Sequence, residues 1–129
     1  MPNPNDWNDQ WNTGDAQIDQ EHQKLFKMLL LFNEAWEMGY SLVRSTLDDV
    51  IAYTNYHFNH EEGRYAEMNF PELSRHKEQH REFLDQLHAF QDKLNQGEDR
   101  DALGYDFGQF LQNWLIQHIQ SEDKRAFAA

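Results

Sequence analysis

The chain contains no cysteine, and among its 129 residues only three are proline and six are glycine. The absence of cysteine excludes disulfides, thiolate metal sites and cysteine nucleophiles, and we expect a cytoplasmic location. Basic residues are also few. The chain has 11 Lys and Arg but 23 Asp and Glu, which gives a formal net charge of −12. The basic side chains form no cluster, so we expect no nucleic-acid partner.

Long apolar runs are missing as well. The longest one, residues 28–32, is far too short to cross a bilayer, and the first six residues lack the features of a secretory signal. Aromatic side chains, in contrast, make up 14% of the chain, which argues for a packed core rather than a disordered chain. The length suits a single domain over residues 1–129.

Four segments carry apolar residues at alternating spacings of three and four, the pattern of helices that pack in a bundle. Their core-facing positions are Ile18, His22, Leu25, Leu29, Phe32 and Trp36; Val43, Leu47, Val50, Thr54, His57 and Glu61; Leu73, His76, His80, Phe83, Leu87, Phe90 and Leu94; and Phe107, Leu111, Trp114 and His118. Because the connections are short, consecutive helices should run antiparallel. We therefore predict an all-α fold, an antiparallel up-down-up-down four-helix bundle over residues 18–123.

An extension is expected at each end of the bundle. Residues 1–17 should form an irregular N-terminal arm, and residues 124–129 a C-terminal tail. Trp7 and Trp11 should fold back over the bundle, because exposed aromatic side chains in a polar arm are otherwise unexplained.

The helix ends are marked by particular residues. Gly39 and Gly97 are placed to close the first and third helices, and Pro71 lies where the third should open. Ser41 or Ser45 is a candidate to cap the start of the second helix.

Five of the seven histidines occupy core-facing positions, where chance placement would put about one. A single buried histidine usually bonds to a backbone carbonyl or a hydroxyl group. Five imidazoles beside a core carboxylate, Glu61, would leave too many polar atoms without partners in one layer. A bound metal ion resolves this, because it accepts the ring nitrogens and neutralises the carboxylate.

The spacing indicates how these side chains converge. His76 and His80 are four residues apart, so both rings lie on one helix face, and His57 and Glu61 share this spacing. The remaining two helices contribute one imidazole each. Five ring nitrogens with a carboxylate exceed a tetrahedral zinc set and indicate two ions bridged by carboxylate.

This arrangement resembles the hemerythrins, and among them the single-domain bacterial members. The resemblance is carried by Trp11 and by residues 18–25, 57–62, 76–80 and 114–123, in the order H…HxxxE…HxxxH…HxxxxD. It extends over nearly the whole chain. Each HxxxH pair alone would be a weak signal, but the combined order is highly specific.

The resemblance implies a non-haem di-iron centre that binds dioxygen reversibly, for oxygen storage, transport or delivery. The ligands it implies are His76, His80 and His118 for one iron, His22 and His57 for the other, and Glu61 and Asp123 as bridges. An oxo or hydroxo group would complete the bridge between the two iron ions. The iron with two histidines would keep one open position for dioxygen.

The last ligand is not settled by spacing. On a regular helix, Glu122 lies one turn beyond His118, whereas Asp123 lies about 140° around the axis. Reaching the centre from Asp123 requires a loosened last turn or a π-type bulge, which often marks functional sites. The resemblance favours Asp123, and the spacing alone favours Glu122.

An apolar pocket is also implied by the resemblance. Its candidate lining residues are Leu25, Phe58, Trp114, Leu115 and Ile119. Ordinary core packing describes the same residues equally well, and as pocket walls they would exclude water and slow autoxidation. His60 and His88 are expected outside the site, and Glu62 is either a surface charge or a partner of a ligand.

Two further function classes are compatible with the same residues. A di-iron oxidoreductase would act on peroxide or nitric oxide at the open position, and an oxygen or redox sensor would use binding as a signal. The histidine-rich set favours a binder, so we do not expect an enzyme. Iron rather than another metal follows only from the resemblance, and the sequence does not identify a protein that receives the oxygen.

Overall fold

The computed structural model describes residues 7–96 and 100–128. Four long helices form the bundle: α1 (Ala16–Met38), α2 (Tyr40–Glu67), α3 (Leu73–Asn95) and α4 (Arg100–His118). A π-helical turn, Ile119–Asp123, follows α4 and leads into a short helix, α5 (Lys124–Ala128). The described residues contain no strand, and none of their helices combines the length and apolar character that crossing a membrane requires.

Contacts between helix ends establish the antiparallel order. Arg64 near the end of α2 forms an ion pair with Asp15, which caps the start of α1. The start of α3 in turn meets the end of α4, where His76 Nε2 lies 3.2 Å from His118 Nε2. The predicted four-helix bundle is therefore confirmed.

The turn between α1 and α2 differs from the prediction. Gly39 alone separates the two helices, with φ of 136°, a conformation that glycine adopts without the strain of a side chain. Because the reversal is this tight, α2 begins at Tyr40 without a side-chain cap. The prediction that Ser41 or Ser45 caps α2 is wrong, since both lie inside the helix.

The N-terminal arm packs on the bundle as predicted. The rings of Trp7 and Trp11 lie 5.1 Å apart, and both contact Phe26 of α1. Asp19 holds the arm by accepting hydrogen bonds from the backbone N–H and the hydroxyl of Thr13. These contacts explain why two large aromatic side chains occur in an otherwise polar segment.

The ends of the chain show two further features. α1 begins at Ala16, two residues before the predicted start of the bundle, and the segment expected as a tail is helical through Ala128. Ala126 is buried, and the ring of Phe127 lies 5.4 Å from that of Tyr65. The first six residues, Gly97, Ala129 and the side chain of Trp36 lie outside the described residues.

The core has two chemically different halves. Toward the Gly39 turn, the stripes are apolar, with Phe32, Leu47, Phe90 and Leu94 each at most 3% exposed. Toward the opposite end, the same stripes carry the polar residues described next.

Candidate metal centre

The polar core residues lie at one level of the bundle and converge on one another. They are His22 of α1, His57 and Glu61 of α2, His76 and His80 of α3, His118 at the end of α4, and Asp123 in the π-helical turn. None is more than 7% exposed. The structure thus brings together all seven residues that the resemblance implied.

The π-helical turn decides which carboxylate of the last segment faces inward. The extra residue in its turn rotates Asp123 toward the bundle axis, where it is 1% exposed. Glu122 points the other way, and its Oε1 accepts hydrogen bonds from Arg75 Nη2 at 2.9 Å and Gln79 Nε2 at 3.3 Å. Asp123, and not Glu122, therefore belongs to the buried cluster.

The five imidazoles form two groups of unequal size. In the first, Nε2 of His118 lies 3.2 Å from Nε2 of both His76 and His80. In the second, the rings of His22 and His57 are 4.7 Å apart, edge to face. Three ring nitrogens thus lie on one side of the cluster and two on the other.

Glu61 lies between the two groups. Its Oε1 is 2.8 Å from His76 Nε2 and 3.1 Å from His80 Nε2. Its Oε2 is 3.1 Å from Nε2 of both His22 and His57. Each oxygen therefore faces a different group, as expected of a carboxylate that bridges two ions.

Asp123 spans the groups in the same way. Its Oδ1 lies 3.1 Å from His76 Nε2 and 3.5 Å from His118 Nε2, whereas its Oδ2 lies 3.1 Å from His22 Nε2. Oδ2 is fully buried, and its described contact is with His22 Nε2. Both carboxylates thus present one oxygen to each group of imidazoles.

The chemistry of these donors fits bound cations. One imidazole nitrogen cannot satisfy two others that face it at 3.2 Å, so the nitrogens around His118 are poorly paired among themselves. Around an ion with Nε2 ligands at about 2.1 Å, neighbouring nitrogens at right angles would be about 3.0 Å apart. The observed spacing is close to this value, and two buried carboxylates supply the negative charge that cations require.

Without metal, the charges in the cluster shift the pKa values of its members. Burial alone would lower the pKa values of His22 and His76, but hydrogen bonds and charges from Asp123 and Glu61 raise them to about 10 and about 9. Burial dominates at His118 and lowers its pKa to about 4. Burial disfavours the charged forms of Glu61 and Asp123, yet the surrounding imidazoles keep both carboxyl pKa values below the usual range.

Carboxylates outside the cluster orient two of the rings. Glu21 Oε1 lies 2.7 Å from His57 Nδ1, and Glu62 Oε2 lies 2.8 Å from His80 Nδ1. Because these contacts use the outer ring nitrogen, Nε2 is left to face the centre. Glu62 is thus a partner of a candidate ligand, which was one of the two roles expected for it.

The two histidines expected outside the cluster do not join it. His60 is 25% exposed, and its Nδ1 lies 2.8 Å from Glu21 Oε2. His88 is exposed on α3.

Sequence reasoning missed two residues that contact the cluster, Glu21 and Tyr65. Tyr65 is fully buried and its hydroxyl donates to Asp123 Oδ1 at 2.8 Å. Burial, together with the charges of Asp123 and Glu61, raises the pKa of Tyr65, so its hydroxyl keeps its proton. A signal was present, since Tyr65 follows Glu61 by four residues and therefore continues its stripe.

The residues predicted to line a pocket belong to the core or pack against it. They are Leu25, Phe58, Trp114, Leu115 and Ile119. The three aliphatic members are at most 1% exposed. The ring of Phe58 stacks on His80 at 3.7 Å, and that of Trp114 on His118 at 4.5 Å. Phe58 and Trp114 therefore lie directly against candidate ligands, and Leu25, Leu115 and Ile119 belong to the buried core beside them.

Comparison with known proteins agrees with this geometry. The family model of the hemerythrin HHE cation binding domain matches residues 13–129. Bacteriohemerythrin of Stenotrophomonas maltophilia (strain R551-3) is 30% identical over 119 residues, which cover 92% of this chain and 76% of that protein. Bacteriohemerythrin of Clostridium acetobutylicum is 28% identical over 123 residues, covering 92% of this chain and 95% of that protein.

A third relative shows a similar degree of identity. The hemerythrin-like protein of Naegleria gruberi is 30% identical over 125 residues, which cover 97% of this chain and 92% of that protein. The matched family model covers both the helices and the turn that position the seven cluster residues. From the buried cluster and from this similarity, we conclude that the chain belongs to the hemerythrin family.

Proposed function

We propose that this protein binds dioxygen reversibly at a pair of iron ions, for oxygen storage or delivery. The observation that carries the proposal is the unequal division of the buried imidazoles, three against two, around two shared carboxylates. A binding site for a small ligand needs an ion whose protein ligands leave a position free. The smaller group provides this, because it has one imidazole fewer than the larger group.

The distances within the cluster support the proposed ligands. His76, His80 and His118 would hold one ion, and His22 and His57 the other. Glu61 and Asp123 would bridge both, because each presents one oxygen to each group. An oxo or hydroxo group would complete the bridge.

When bound, two iron ions supply the electrons and the coordination position that reversible dioxygen binding requires. The chain itself supplies the environment. The apolar side chains beside the ligands would exclude water and its protons from the site, which would slow irreversible oxidation. Leu115 is 1% exposed and precedes His118 by three residues on α4, so the variant Leu115→Ala should keep its iron and autoxidise several-fold faster.

The proposal is tested by loading the protein anaerobically with ferrous iron and measuring metal content and optical absorbance. We expect two iron ions per chain, and an absorbance change on exposure to oxygen that reverses under vacuum. Irreversible bleaching with consumption of peroxide or nitric oxide would instead support an oxidoreductase. Binding of no iron would contradict both.

The ligand assignment is tested with two neighbouring carboxylates. Asp123→Ala should lose iron and the optical change, because it removes a bridge. Glu122→Ala is the matched control and should retain both, since Glu122 is held outside the cluster by Arg75. Loss of iron in Glu122→Ala alone would overturn the assignment.

A further inference from the structure

Tyr65 is placed to act on the candidate metal centre rather than only to fill the core. Its side chain is fully buried, and its ring meets that of His76 edge to face at 4.7 Å. Within the described residues, the hydrogen bond of the hydroxyl leaves its own helix. It crosses to the π-helical turn, where it donates to Asp123 Oδ1 at 2.8 Å.

The oxygen that Tyr65 contacts is the one that faces the three-imidazole group. Oδ1 of Asp123 lies 3.1 Å from His76 Nε2 and 3.5 Å from His118 Nε2. A carboxylate oxygen has two lone pairs, so it can accept from the phenol and still face a cation. The hydrogen bond from the phenol therefore distinguishes Oδ1 from Oδ2, whose described contact is with His22 Nε2.

The second shared carboxylate offers a contrast. The described contacts of the Glu61 oxygens are with imidazole nitrogens of the cluster, on both sides. Only Asp123 of the two receives a hydrogen bond from a neutral hydroxyl in the described part of the chain. The two carboxylates should therefore differ in how strongly they donate electrons to the ions they touch.

We propose that Tyr65 is a positioning residue that orients Asp123 and weakens its electron donation to the ion of the three-imidazole group. This inference rests on the proposed function. A hydrogen bond to an anionic ligand withdraws negative charge from it, which favours the less oxidised metal, and it also fixes the ligand in place. Tyr65 thus raises the reduction potential of the centre and slows loss of its metal.

The test compares Tyr65→Phe with the native protein, both loaded with iron. Phenylalanine keeps the ring against His76 and removes only the donor. We expect iron to be held about 10- to 100-fold less tightly, the range found for loss of an outer partner of a metal ligand. The reduction potential should fall, and autoxidation should become faster. Tyr56→Phe is the matched control, because Tyr56 is on the same helix and is 56% exposed.

A second variant separates positioning from packing. Fluorotyrosine at position 65 keeps the ring and the hydroxyl but makes the phenol a stronger hydrogen-bond donor. The reduction potential of the iron centre in the fluorotyrosine protein should therefore rise, whereas in Tyr65→Phe it should fall. A role in packing alone would not produce shifts of opposite sign. If Tyr65→Phe does not fold, the rise or absence of a rise in the reduction potential with fluorotyrosine still tests the role of Tyr65.

The outcomes for the two proposals are distinct. If the native protein holds no iron, the proposed function fails. If the native protein holds two iron ions, and neither substitution at position 65 changes iron retention or reduction potential, the role of Tyr65 is overturned while the proposed function stands.

Discussion

The two halves of the bundle are built on the same stripes but are held together differently. Near the Gly39 turn, the core consists of side chains such as Phe32, Leu47 and Phe90, and burial of apolar surface stabilises it without any partner from outside. In the other half, the stripes carry five imidazoles and two carboxylates, whose atoms are mutually close but incompletely satisfied. We refer to these as the apolar half and the cluster half.

The contrast shows how a bundle can carry a reactive centre. Each buried polar residue in the cluster half gives up solvation, and an isolated buried charge would cost several kcal/mol. The fold tolerates this because the apolar half, and the arm packed on Phe26, supply the cohesion. The cluster half is therefore free to hold donors in positions that suit a cation rather than one another.

Removal of metal should produce the largest difference in local stability between the two halves. At free metal a thousandfold above its dissociation constant, binding contributes about 4 kcal/mol to stability. In the metal-free protein, amides around His57 and His76 should lose much of their protection from hydrogen exchange, whereas those around Leu47 and Phe90 should keep it. Hydrogen exchange followed by mass spectrometry checks this, and an equal loss of protection in both halves would contradict it.

A cavity in the apolar half should lower the stability of the protein without changing its iron affinity. Leu47→Ala should lower the free energy of unfolding by about 2–5 kcal/mol, because Leu47 is 1% exposed and its removal leaves a void. Iron affinity should not change, since Leu47 precedes His57 by ten residues, or about 15 Å along α2. Urea unfolding and iron titration measure the two effects. Leu31→Ala, at a position that is 58% exposed, is the control and should change stability by less than about 0.5 kcal/mol.

The pH dependence of stability should depend on the metal. In the metal-free protein, the pKa values of His22 and His76 are raised to about 10 and about 9. Their contribution to the stability of the fold is complete at pH values below the ordinary histidine pKa near 6.5, and it is lost as the pH rises through 9 to 10. The slope is about 1.4 kcal/mol per pH unit for each proton. Iron-bound imidazoles carry no proton at Nε2, so the loaded protein should lack this alkaline loss.

The loss of stability at acidic pH follows from His118, Glu61 and Asp123. His118, with a pKa lowered to about 4, destabilises the metal-free fold as pH falls from about 6.5 toward 4, because the unfolded chain takes up the proton first. The lowered carboxyl pKa values of Glu61 and Asp123 add a loss at still lower pH. Urea unfolding from pH 3 to pH 10, with and without iron, provides the test. The same alkaline loss in both forms would count against the predicted linkage.

The apolar half was more predictable from the sequence than the cluster half. The stripes predicted four antiparallel helices because apolar spacing follows the helical period wherever one face is buried. The packing of the arm was predictable because the large apolar rings of Trp7 and Trp11 are expected to be buried against the bundle. The cap at Ser41 or Ser45 was predicted wrongly, because spacing does not show that Gly39 alone makes the turn.

The cluster half needed more than periodicity. The excess of core histidines predicted a polar layer, but the inward rotation of Asp123 depends on a π-helical turn that regular spacing does not anticipate. Glu21 and Tyr65 were missed because their partners, His57 and Asp123, are 36 and 58 residues away in the sequence. The spacing of Tyr65 from Glu61 indicates that Tyr65 is buried, but the partners of both residues depend on how the helices pack, which the spacing within one helix does not show.

Thr54 lies where the two halves meet and should show the smallest effect. It is fully buried one turn before His57, and its hydroxyl has no hydrogen-bond partner in the described part of the chain. Thr54→Val keeps the branched shape and removes an unsatisfied polar group, so the free energy of unfolding should rise by about 1 kcal/mol. Thr46→Val, on the same helix at a partly exposed position, is the control and should stay within about 0.5 kcal/mol. A loss of stability in Thr54→Val, measured by urea unfolding, would show that this hydroxyl belongs functionally to the cluster half, because only a bound partner makes its removal costly.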